Sequence, residues 1–282
     1  MMTTDGTVDH IGRAAPGEAD DWPVVLDGEL MRAGEAMIPA GDDGLIRGDG
    51  AFDAFPVVDG RPFARAAHLD RLERSCRALD LPCPREEIES DIDLVLTRAP
   101  SGYAAVRIVL TRGGHRICRM ESRGDAASLT KPVRLLPVTY DPSVLLNGVK
   151  SLSYGANMLA SRRALAAGYD EALLVRSDGT VLEGPTWSII WVRDGRLQTP
   201  SLETGILASI TRRVILESMT VEEGSYPLEH VVGAEEAFLV STARLGQPIA
   251  AIGEVSLPAV PGPHTQRAQE AIARAMAEDA IA

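Results

Sequence analysis

Hydrophobic and polar residues along this chain alternate with two periods, one of two residues and one close to the helical repeat. Runs of period two on either side of an Asp-Gly turn predict hairpins in WPVVLDGEL, AFDAFPVVDGRPFA and WSIIWVRDGRLQTP. Apolar residues at helical spacing from Leu69 to Leu79 predict a helix in HLDRLERSCRALDL. Hairpins with helices between them favour an α+β fold with antiparallel or mixed sheets over a doubly wound parallel sheet.

Further elements extend this pattern. Helices are predicted in PREEIESDIDLVLTRA, YGANMLASRRALAAG, SITRRVILESM and HTQRAQEAIARAMAEDAI, with Ser209 as the N-cap of the third. Strands are predicted in YAAVRIVLT, VRLLPV, EALLVR, EAFLVSTA and QPIAAI. The segment RGGHRICRMESRGDAASLTK follows the first of these strands, and its polar residues predict a loop.

The same pattern predicts how the chain divides into domains. Residues 1–21 are polar and lack the basic start and apolar stretch of a secretion signal, so a flexible tail is predicted there. The segment TYDPSVLLNG interrupts the alternation. Residues 138–148 are therefore predicted to be a loop between a small domain, 22–137, and a larger one, 149–282.

Composition and charge narrow the functional classes. The chain has 282 residues, of which 45% are hydrophobic, so it can form a globular core. Its net charge of −12 argues against binding of nucleic acids or anionic membranes. The three cysteines are too few and too far apart for a disulfide framework, and the histidines do not cluster with them as metal ligands would. A cytoplasmic location without a bound metal is predicted.

Lys150 and Glu183 are the residues that indicate chemistry most strongly. Lys150 lies at the start of VKSLSYGANMLASRRA, and Glu183 lies within DEALLVRSDGTVLEGPTWSIIWV. A lysine amine can bind an aldehyde cofactor as a Schiff base, and a carboxylate can keep the ring nitrogen of that cofactor protonated. Either residue alone is ordinary, because most lysines are solvated and a glutamate before a glycine is usually a turn residue. The prediction therefore depends on the motifs around them.

Other segments offer groups that bind anions. Arg71 can form paired hydrogen bonds with a phosphate. The predicted helix start at Ser209 and Thr211 has backbone N–H groups without helical partners, and Ser241 and Thr242 add two hydroxyls just after a strand. These groups are candidates for a phosphate site.

Five motifs between about Val24 and Ile252 together resemble the class IV aminotransferases, the pyridoxal phosphate (PLP) enzymes of fold type IV. They are, in chain order, LIRGDGAFDAFPVVDGRPFARAAHLDRL, VKSLSYGANMLASRRA, DEALLVRSDGTVLEGPTWSII, GILASITRRVI and VSTARLGQPI. The resemblance implies an α+β enzyme similar to D-amino acid aminotransferase, with a small α/β domain and a larger β-barrel-like domain that carries helices and binds the cofactor. It also implies PLP as the cofactor and a homodimer.

The resemblance assigns roles to individual residues. Lys150 matches the lysine that forms the Schiff base and carries the proton, and Glu183 matches the partner of the ring nitrogen. The other residues implied to contact the cofactor are Leu207 at the ring face and Arg71, Ile210, Thr211, Ser241 and Thr242 at the phosphate.

The chain departs from the family's pattern at two places near the substrate. After Glu183-Gly184 the family usually has Ser or Thr and then Asn, whereas this chain has Pro185-Thr186-Trp187-Ser188. After the GDG motif the family often has a tyrosine or phenylalanine and then a glutamate, whereas this chain has Phe52 and Asp53. Phe52 has no hydroxyl to offer a substrate carboxylate. The candidates for substrate contacts on these walls are Phe52, Thr186, Trp187 and Ala243.

Three subgroups of the family remain open: D-amino acid (or R-amine) aminotransferases, aminodeoxychorismate lyases and branched-chain L-amino acid aminotransferases. The strand ending VRIVLTRGG is closer to the first two, because the third usually carries Arg-Pro there. The resemblance therefore implies transfer of an amino group between an amino acid and a 2-oxo acid, with D-amino acids favoured. Arg116 or Arg119, in the segment after that strand, is the candidate anchor for the substrate carboxylate, and a basic surface loop is the alternative.

Overall fold

The computed structural model of the chain describes residues 21–122 and 131–279, which fold as two units. The first unit comprises residues 21–122 with Lys150–Ser153, and the second comprises residues 131–149 with 154–279. This division differs from the predicted domain boundaries, because the strand Val133–Thr139 belongs to the second unit and Lys150–Ser153 to the first. Nearly all of the predicted tail, residues 1–20, lies outside the described residues.

The described part of the first unit is built around an antiparallel sheet of six strands. The strands are β1 (Pro23–Leu26), β2 (Glu29–Arg32), β3 (Gly50–Val58), β4 (Arg61–Pro62), β5 (Tyr103–Thr111) and β6 (Arg116–Ser122). Their order across the sheet is β2-β1-β6-β5-β3-β4. The helices of this unit are α1 (Asp43–Ile46), α2 (Arg65–Ala78) and α3 (Arg85–Leu96).

One face of this sheet packs against α2 and α3, because strands and helices both place apolar side chains there. Val106, Ile108 and Leu110 of β5 enter a buried cluster that Leu72 of α2 and Ile92 of α3 complete from the helix side. The period of two in β5 and the helical period in α2 and α3 place these residues on facing surfaces. The other face of the sheet carries the alternate residues of each strand.

The segment after β5 was predicted to be a loop, but its residues Arg116–Ser122 form strand β6, so that prediction was wrong. Cys118 and Met120 are buried in the core, and Arg119 and Glu121 alternate with them on the opposite face. The period of two was present in the sequence, but the many charged residues concealed it. Residues 123–130 of the predicted loop lie outside the described residues.

The segment Lys150–Ser153 runs beside the first residues of β3. The N–H of Phe52 donates to the C=O of Lys150 (3.0 Å), and the N–H of Leu152 donates to the C=O of Gly50 (2.8 Å). A side chain at position 50 would approach the carbonyl oxygen of Leu110 to 2.4 Å. Glycine is therefore required where these three backbone segments meet, which gives the second glycine of the GDG motif a packing role.

The described part of the second unit contains a mixed sheet of eight strands. They are β7 (Val133–Thr139), β8 (Glu171–Val175), β9 (Ser188–Arg193), β10 (Arg196–Pro200), β11 (Val221–Gly224), β12 (Glu236–Ser241), β13 (Arg244–Ile252) and β14 (Val255–Ser256). Their order is β11-β10-β9-β12-β13-β7-β8, with β14 beside β13. The helices are α4 (Gly155–Ala166), α5 (Ile210–Ser218), α6 (Leu228–Val232) and α7 (Pro263–Asp279).

The residues just before Glu183 connect the two ends of this sheet. The N–H of Leu182 donates to the C=O of Leu174 on β8 (3.0 Å), at one end of the strand order. The N–H of Val181 donates to the C=O of Tyr226 (2.9 Å), just beyond β11 at the other end. The sheet therefore closes into the barrel-like arrangement that the resemblance implied.

The two sheets and their helices confirm the predicted α+β fold. The three hairpins predicted from Asp-Gly turns form as β1–β2, β3–β4 and β9–β10. At the second of these, Asp59 and Gly60 both have positive φ angles, of 46° and 79°, as a tight hairpin turn of this kind requires. None of the helices in residues 21–122 and 131–279 is long and apolar enough to cross a membrane.

Candidate active site

Lys150 is held in place by hydrogen bonds at both of its backbone groups. Its N–H donates to Ser75 Oγ on α2 (3.1 Å), and its C=O accepts from Phe52 on β3 (3.0 Å). Its amine nitrogen Nζ lies 4.3 Å from the centre of the Phe52 ring. The backbone of half-buried Lys150 is thus fixed on both sides, and its amine lies over an aromatic ring. Ser75 was not predicted, because a serine within a helix gives no indication of such a partner.

The Phe52 ring also contacts Arg107, which the sequence analysis did not single out. The guanidinium carbon of Arg107 lies 5.1 Å from the ring centre. Glu121 holds this guanidinium with two hydrogen bonds, at 2.5 Å and 3.1 Å. The position of Arg107 in VRIVLT, between two core residues, was a detectable indication that its side chain lies on the face opposite the helices.

Arg71 lies on α2 and forms a buried ion pair with Asp53 of β3. Asp53 Oδ2 accepts from Arg71 Nε (2.8 Å), and Asp53 Oδ1 accepts from Arg71 Nη2 (2.7 Å). His68, one turn earlier on α2, places its Nδ1 2.7 Å from Asp53 Oδ1. Asp53 has no exposed surface, and Arg71 and His68 are only 5% and 2% exposed. The structure thus groups the predicted phosphate ligand Arg71 with two residues that were not predicted as site residues.

Electrostatics within this cluster keep the carboxylate charged and the imidazole neutral. Burial alone would raise the pKa of Asp53, but the charge of Arg71 and the hydrogen bonds from Arg71 and His68 outweigh it and hold that pKa well below its usual range. Burial lowers the pKa of His68, and the nearby Asp53 carboxylate only partly opposes this. The cluster is therefore a neutral histidine beside a carboxylate–guanidinium pair.

The two candidate anchors for a substrate carboxylate lie on opposite faces of the first sheet. Arg116 lies on the helix side, where its Nε donates to Asp91 Oδ2 on α3 (2.9 Å), and that partner raises the pKa of Arg116. Arg119 lies directly opposite Arg107 and hence on the face that carries Phe52. Its Nε lies 4.0 Å from Glu121 Oε1 and has no hydrogen-bond partner among the described residues. Of the two, Arg119 shares a surface with Phe52.

In the second unit, Glu183 is fixed by its backbone and by its side chain. Its C=O accepts from the N–H of Leu174 (2.9 Å), and its Oε1 accepts from the N–H of Leu207 (3.0 Å). Burial and the charge of the Glu183 carboxylate raise the pKa of Tyr140. Glu183 and Leu207, both predicted as cofactor contacts, are thus brought together.

The turn that follows Glu183 packs against Trp187, a buried residue of the core. A side chain at position 184 would overlap the Trp187 ring at 1.9 Å, so the Glu-Gly pair needs its glycine. Trp187 is 3% exposed, and its Nε1 donates to Glu171 Oε2 (3.2 Å). Trp187 therefore packs in the core of the second unit and supports this turn, rather than forming a substrate-facing wall. The half-exposed Thr186 remains a candidate for that wall.

The start of α5 offers backbone donors, as predicted. Ser209 caps the helix, because its Oγ accepts from the N–H of Arg212 (3.2 Å). The N–H groups of Ile210 and Thr211, the first two residues of the helix, have no intrahelical acceptor. An anion at this helix end would take up these donors and interact favourably with the helix dipole.

Ser241 is the last residue of β12, and Thr242 and Ala243 form the turn that leads into β13. Ser241 pairs with Arg244 across the hairpin, and Ser241 Oγ accepts from the N–H of Ala243 (3.3 Å). All three residues are half-buried. The hydroxyls of Ser241 and Thr242, at the strand end and in the turn, can donate to phosphate oxygens, so these positions stay compatible with their predicted roles.

The donor set fits a phosphorylated aldehyde with a basic ring nitrogen. The first unit supplies an amine at Lys150 and a guanidinium at Arg71. The second carries a carboxylate at Glu183 and, at Ile210 and Thr211, helix N–H groups that have no intrahelical acceptor. These are the groups that PLP chemistry requires, and no group of three or more metal-ligating side chains occurs in residues 21–122 and 131–279.

Comparison with known proteins identifies the family. Residues 50–252 match the family model described as amino-transferase class IV. The chain belongs to the class IV aminotransferase family. A bifunctional aminodeoxychorismate lyase / D-amino acid transaminase of Mycobacterium tuberculosis is 31% identical over 227 residues, which cover 69% of this chain and 76% of that protein. A provisionally named branched-chain-amino-acid aminotransferase of Methanocaldococcus jannaschii is 33% identical over 249 residues, which cover 78% and 84%.

Solved structures give the same family. A hypothetical aminotransferase from Mycobacterium tuberculosis in its PLP-bound form is 26% identical and superposes with a TM-score of 0.83, covering 91% of this chain and 99% of that one. This class IV aminotransferase is therefore a fold type IV enzyme with PLP as its cofactor, as the sequence motifs implied.

Proposed function

We propose that this class IV aminotransferase moves an amino group between an amino acid, with D-amino acids favoured and R-amines as further donors, and a 2-oxo acid. The observation that carries this proposal is Lys150: its backbone is fixed on both sides, its amine rests on the Phe52 ring, and it occupies the lysine position of the family's motif. We further propose that the enzyme works as a homodimer in the cytoplasm.

The roles that we propose follow the chemistry of each group. Lys150 would hold PLP through its aldehyde group, and its amine would be the group that takes up and returns the proton of the substrate α-carbon. Bound PLP supplies an electron sink for the negative charge that develops at the α-carbon. Glu183 keeps the ring nitrogen protonated, and the N–H of Leu207 holds the Glu183 carboxylate in place.

The phosphate is assigned to groups that are donors in this structure. Arg71 supplies charge-assisted hydrogen bonds, and Ile210 and Thr211 supply helix N–H groups. Ser241 and Thr242 supply hydroxyls. Leu207 contacts the ring face. These assignments rest on the family's motifs together with the local geometry of each residue.

The preference for D-amino acids is supported by the sequence around β5 and by one relative. Strand β5 ends at Thr111 and is followed by Arg112-Gly113, a sequence closer to that of D-amino acid enzymes and lyases. The bifunctional protein of Mycobacterium tuberculosis is named for a lyase and a D-amino acid transaminase. An α-ketoglutarate-bound form of the hypothetical Mycobacterium tuberculosis aminotransferase, 25% identical with a TM-score of 0.84 over 91% of this chain and 99% of that one, supports a 2-oxo acid acceptor.

Two alternatives within the family have specific support. The same bifunctional relative favours aminodeoxychorismate lyase activity, in which pyruvate is eliminated and no acceptor is needed. The Methanocaldococcus jannaschii relative favours a branched-chain L-amino acid aminotransferase. The requirement for an acceptor separates the lyase from the transaminases, and the handedness of the donor separates the two transaminases.

A panel of donors and acceptors tests the proposal. D- and L-amino acids and an aromatic R-amine are each incubated with the purified enzyme and either pyruvate or 2-oxoglutarate, and formation of the new amino acid is measured. We expect turnover with D-amino acids that stops when the 2-oxo acid is omitted. Pyruvate release from aminodeoxychorismate without any acceptor would instead support the lyase, and turnover restricted to branched L-amino acids would support the third activity.

The proposed homodimer is tested separately by light scattering of the holoenzyme. We expect a mass of about twice 30.1 kDa at micromolar concentration. A monomeric mass under conditions that support turnover would contradict the dimer while leaving the chemistry intact.

A further inference from the structure

We propose that Asp53 is a positioning residue for the cofactor phosphate: it fixes the direction of the Arg71 guanidinium, and His68 in turn fixes Asp53. The inference rests on the proposed function, because it takes Arg71 as a ligand of the phosphate. It goes beyond that function by assigning a role to two buried residues for which the motifs implied none.

The geometry of the ion pair determines how Arg71 is oriented. Asp53 binds Nε and Nη2 of Arg71, so one whole edge of the planar guanidinium is paired with the carboxylate. Such a two-point contact sets both the plane and the rotation of the group. A long side chain that is oriented before the phosphate arrives loses less conformational entropy when it binds.

The surroundings of Asp53 argue against a role in proton transfer. Its carboxylate also accepts from the N–H of Ala54 (2.7 Å), in addition to the bonds with Arg71 and the contact with His68. A carboxylate has about four acceptor positions, so these donors use its capacity. With no exposed surface and a strongly depressed pKa, Asp53 stays an anion, and positioning is the role left to it.

His68 completes the arrangement through its tautomer. The Asp53 oxygen beside Nδ1 can only accept, so the neutral imidazole carries its proton on Nδ1 and donates it to the carboxylate. This bond holds Oδ1, the oxygen that also binds Arg71 Nη2. Removal of the His68 donor would therefore loosen Asp53 and, through it, Arg71.

The test compares two ligands that differ only in the phosphate. Apo-enzyme is titrated with PLP and with pyridoxal, which lacks the phosphate, and both dissociation constants are measured by absorption. The quantity compared between variants is the ratio of the dissociation constant for pyridoxal to that for PLP. In Asp53→Asn we expect the affinity for PLP to fall about tenfold or more, as for a lost hydrogen bond to a charged group, while the affinity for pyridoxal changes less than about threefold. A purely structural role would weaken both ligands alike.

Two variants serve as matched controls. Asp53→Glu keeps the charge and has the residue that the family often carries at this position, so it should restore the ratio to within about threefold of the wild type. Asp91→Asn breaks another Asp–Arg pair of the same unit, between buried Asp91 and half-buried Arg116, and should leave the ratio unchanged.

The outcomes separate this inference from the proposed function. A wild-type apo-enzyme that binds no PLP would contradict the proposed function itself. Normal PLP binding with the same ratio in Asp53→Asn as in the wild type would overturn the positioning role alone. If Asp53→Asn does not fold, His68→Leu and His68→Asn test the inference instead. The ratio should fall in His68→Leu, which has no donor for Asp53. It should not fall in His68→Asn, whose amide can donate to Asp53. Equal ratios in these two would also overturn the inference.

Discussion

At the scale of single residues, His68 makes the stability of the folded chain depend on pH. Burial lowers the pKa of His68 in the folded state, although the Asp53 carboxylate opposes the shift. The unfolded chain therefore binds a proton at a higher pH than the folded chain does. Stability is lost as the pH falls from the ordinary histidine pKa, about 6.5, towards the lower pKa of the folded state. The depressed pKa of Asp53 has the same sign but acts only at more acidic pH.

We expect the melting temperature of the wild type to fall between about pH 7.5 and pH 5.5, with His68 contributing at most about 1.4 kcal/mol for each pH unit. His68→Asn keeps a donor for Asp53 but does not titrate, so its melting temperature should fall less steeply. Thermal unfolding of the apo-enzyme across this range measures both slopes. Parallel slopes would show that His68 does not account for the loss.

Glu183 is the other residue whose charge carries a specific expectation. Glu183→Gln keeps an oxygen that can accept from the N–H of Leu207 but removes the negative charge proposed to hold the ring nitrogen protonated. We expect kcat to fall by about two orders of magnitude or more, while the dissociation constant for PLP rises less than about tenfold. Glu203→Gln, at an exposed glutamate of the same unit, is the control and should behave as the wild type does. Unchanged kcat in Glu183→Gln would remove this residue from the chemistry.

At the scale of elements, the local patterns of the sequence predicted more than its long-range pairings. The Asp-Gly hairpins and the helices α2 to α5 and α7 were predicted, because each is determined by a turn or a periodicity within one segment. The short elements α1, α6, β11 and β14 were missed, since a few residues show no period. The pairing of Lys150–Ser153 with β3 was also missed, because it joins residues about a hundred positions apart.

The candidate site followed the same rule. The motifs assigned roles to Lys150, Arg71 and Glu183, but none to the partners Ser75 and Asp53. These partners lie on other elements, and no local pattern links an aspartate on a strand to an arginine on a later helix. The faces of the sheet on which Arg116 and Arg119 lie could have been predicted only if β6 had been recognised as a strand.

The close contact of β3 with its neighbours can be tested at Gly50. Gly50→Ala would push a methyl group against the Leu110 carbonyl oxygen, which is backbone and moves little. We expect a loss of about 1–3 kcal/mol in the free energy of unfolding, as for overpacking elsewhere. Gly41→Ala is the control, because nothing lies within 4 Å of the added carbon there. Denaturant unfolding of both variants gives the comparison, and equal stabilities would contradict this packing.

The placement of β6 predicts different consequences for its two arginines. Arg116→Ala would leave the buried Asp91 carboxylate without its partner, so we expect a loss of stability of about 1–3 kcal/mol with little change in KM. Arg119→Ala lies on the face of Phe52, so we expect KM for the carboxylate-bearing substrate to rise about tenfold with little change in stability. Denaturant unfolding and steady-state kinetics distinguish the two effects. If the effects were exchanged, the assignment of faces would be wrong.

At the scale of the whole molecule, family, fold and cofactor are established together, and substrate choice is not fixed by any of them. The family model spans residues 50–252 and therefore includes Lys150 and Glu183. Relatives of similar identity carry names of different activities within this one fold. Activity within the family must therefore depend on the residues that face the substrate rather than on the architecture. Because the net charge of −12 would repel an anionic substrate, we propose that local cations such as Arg107 and Arg119 attract it.

The most direct test of the central claim is to locate the cofactor on the chain. Holoenzyme is treated with borohydride, digested, and its peptides are analysed by mass spectrometry for the added mass of the reduced cofactor. The account predicts one modified residue, Lys150, and no modification when Lys150→Ala is treated in the same way. A modified lysine at another position, or an unmodified Lys150 in protein that has taken up PLP, would contradict it.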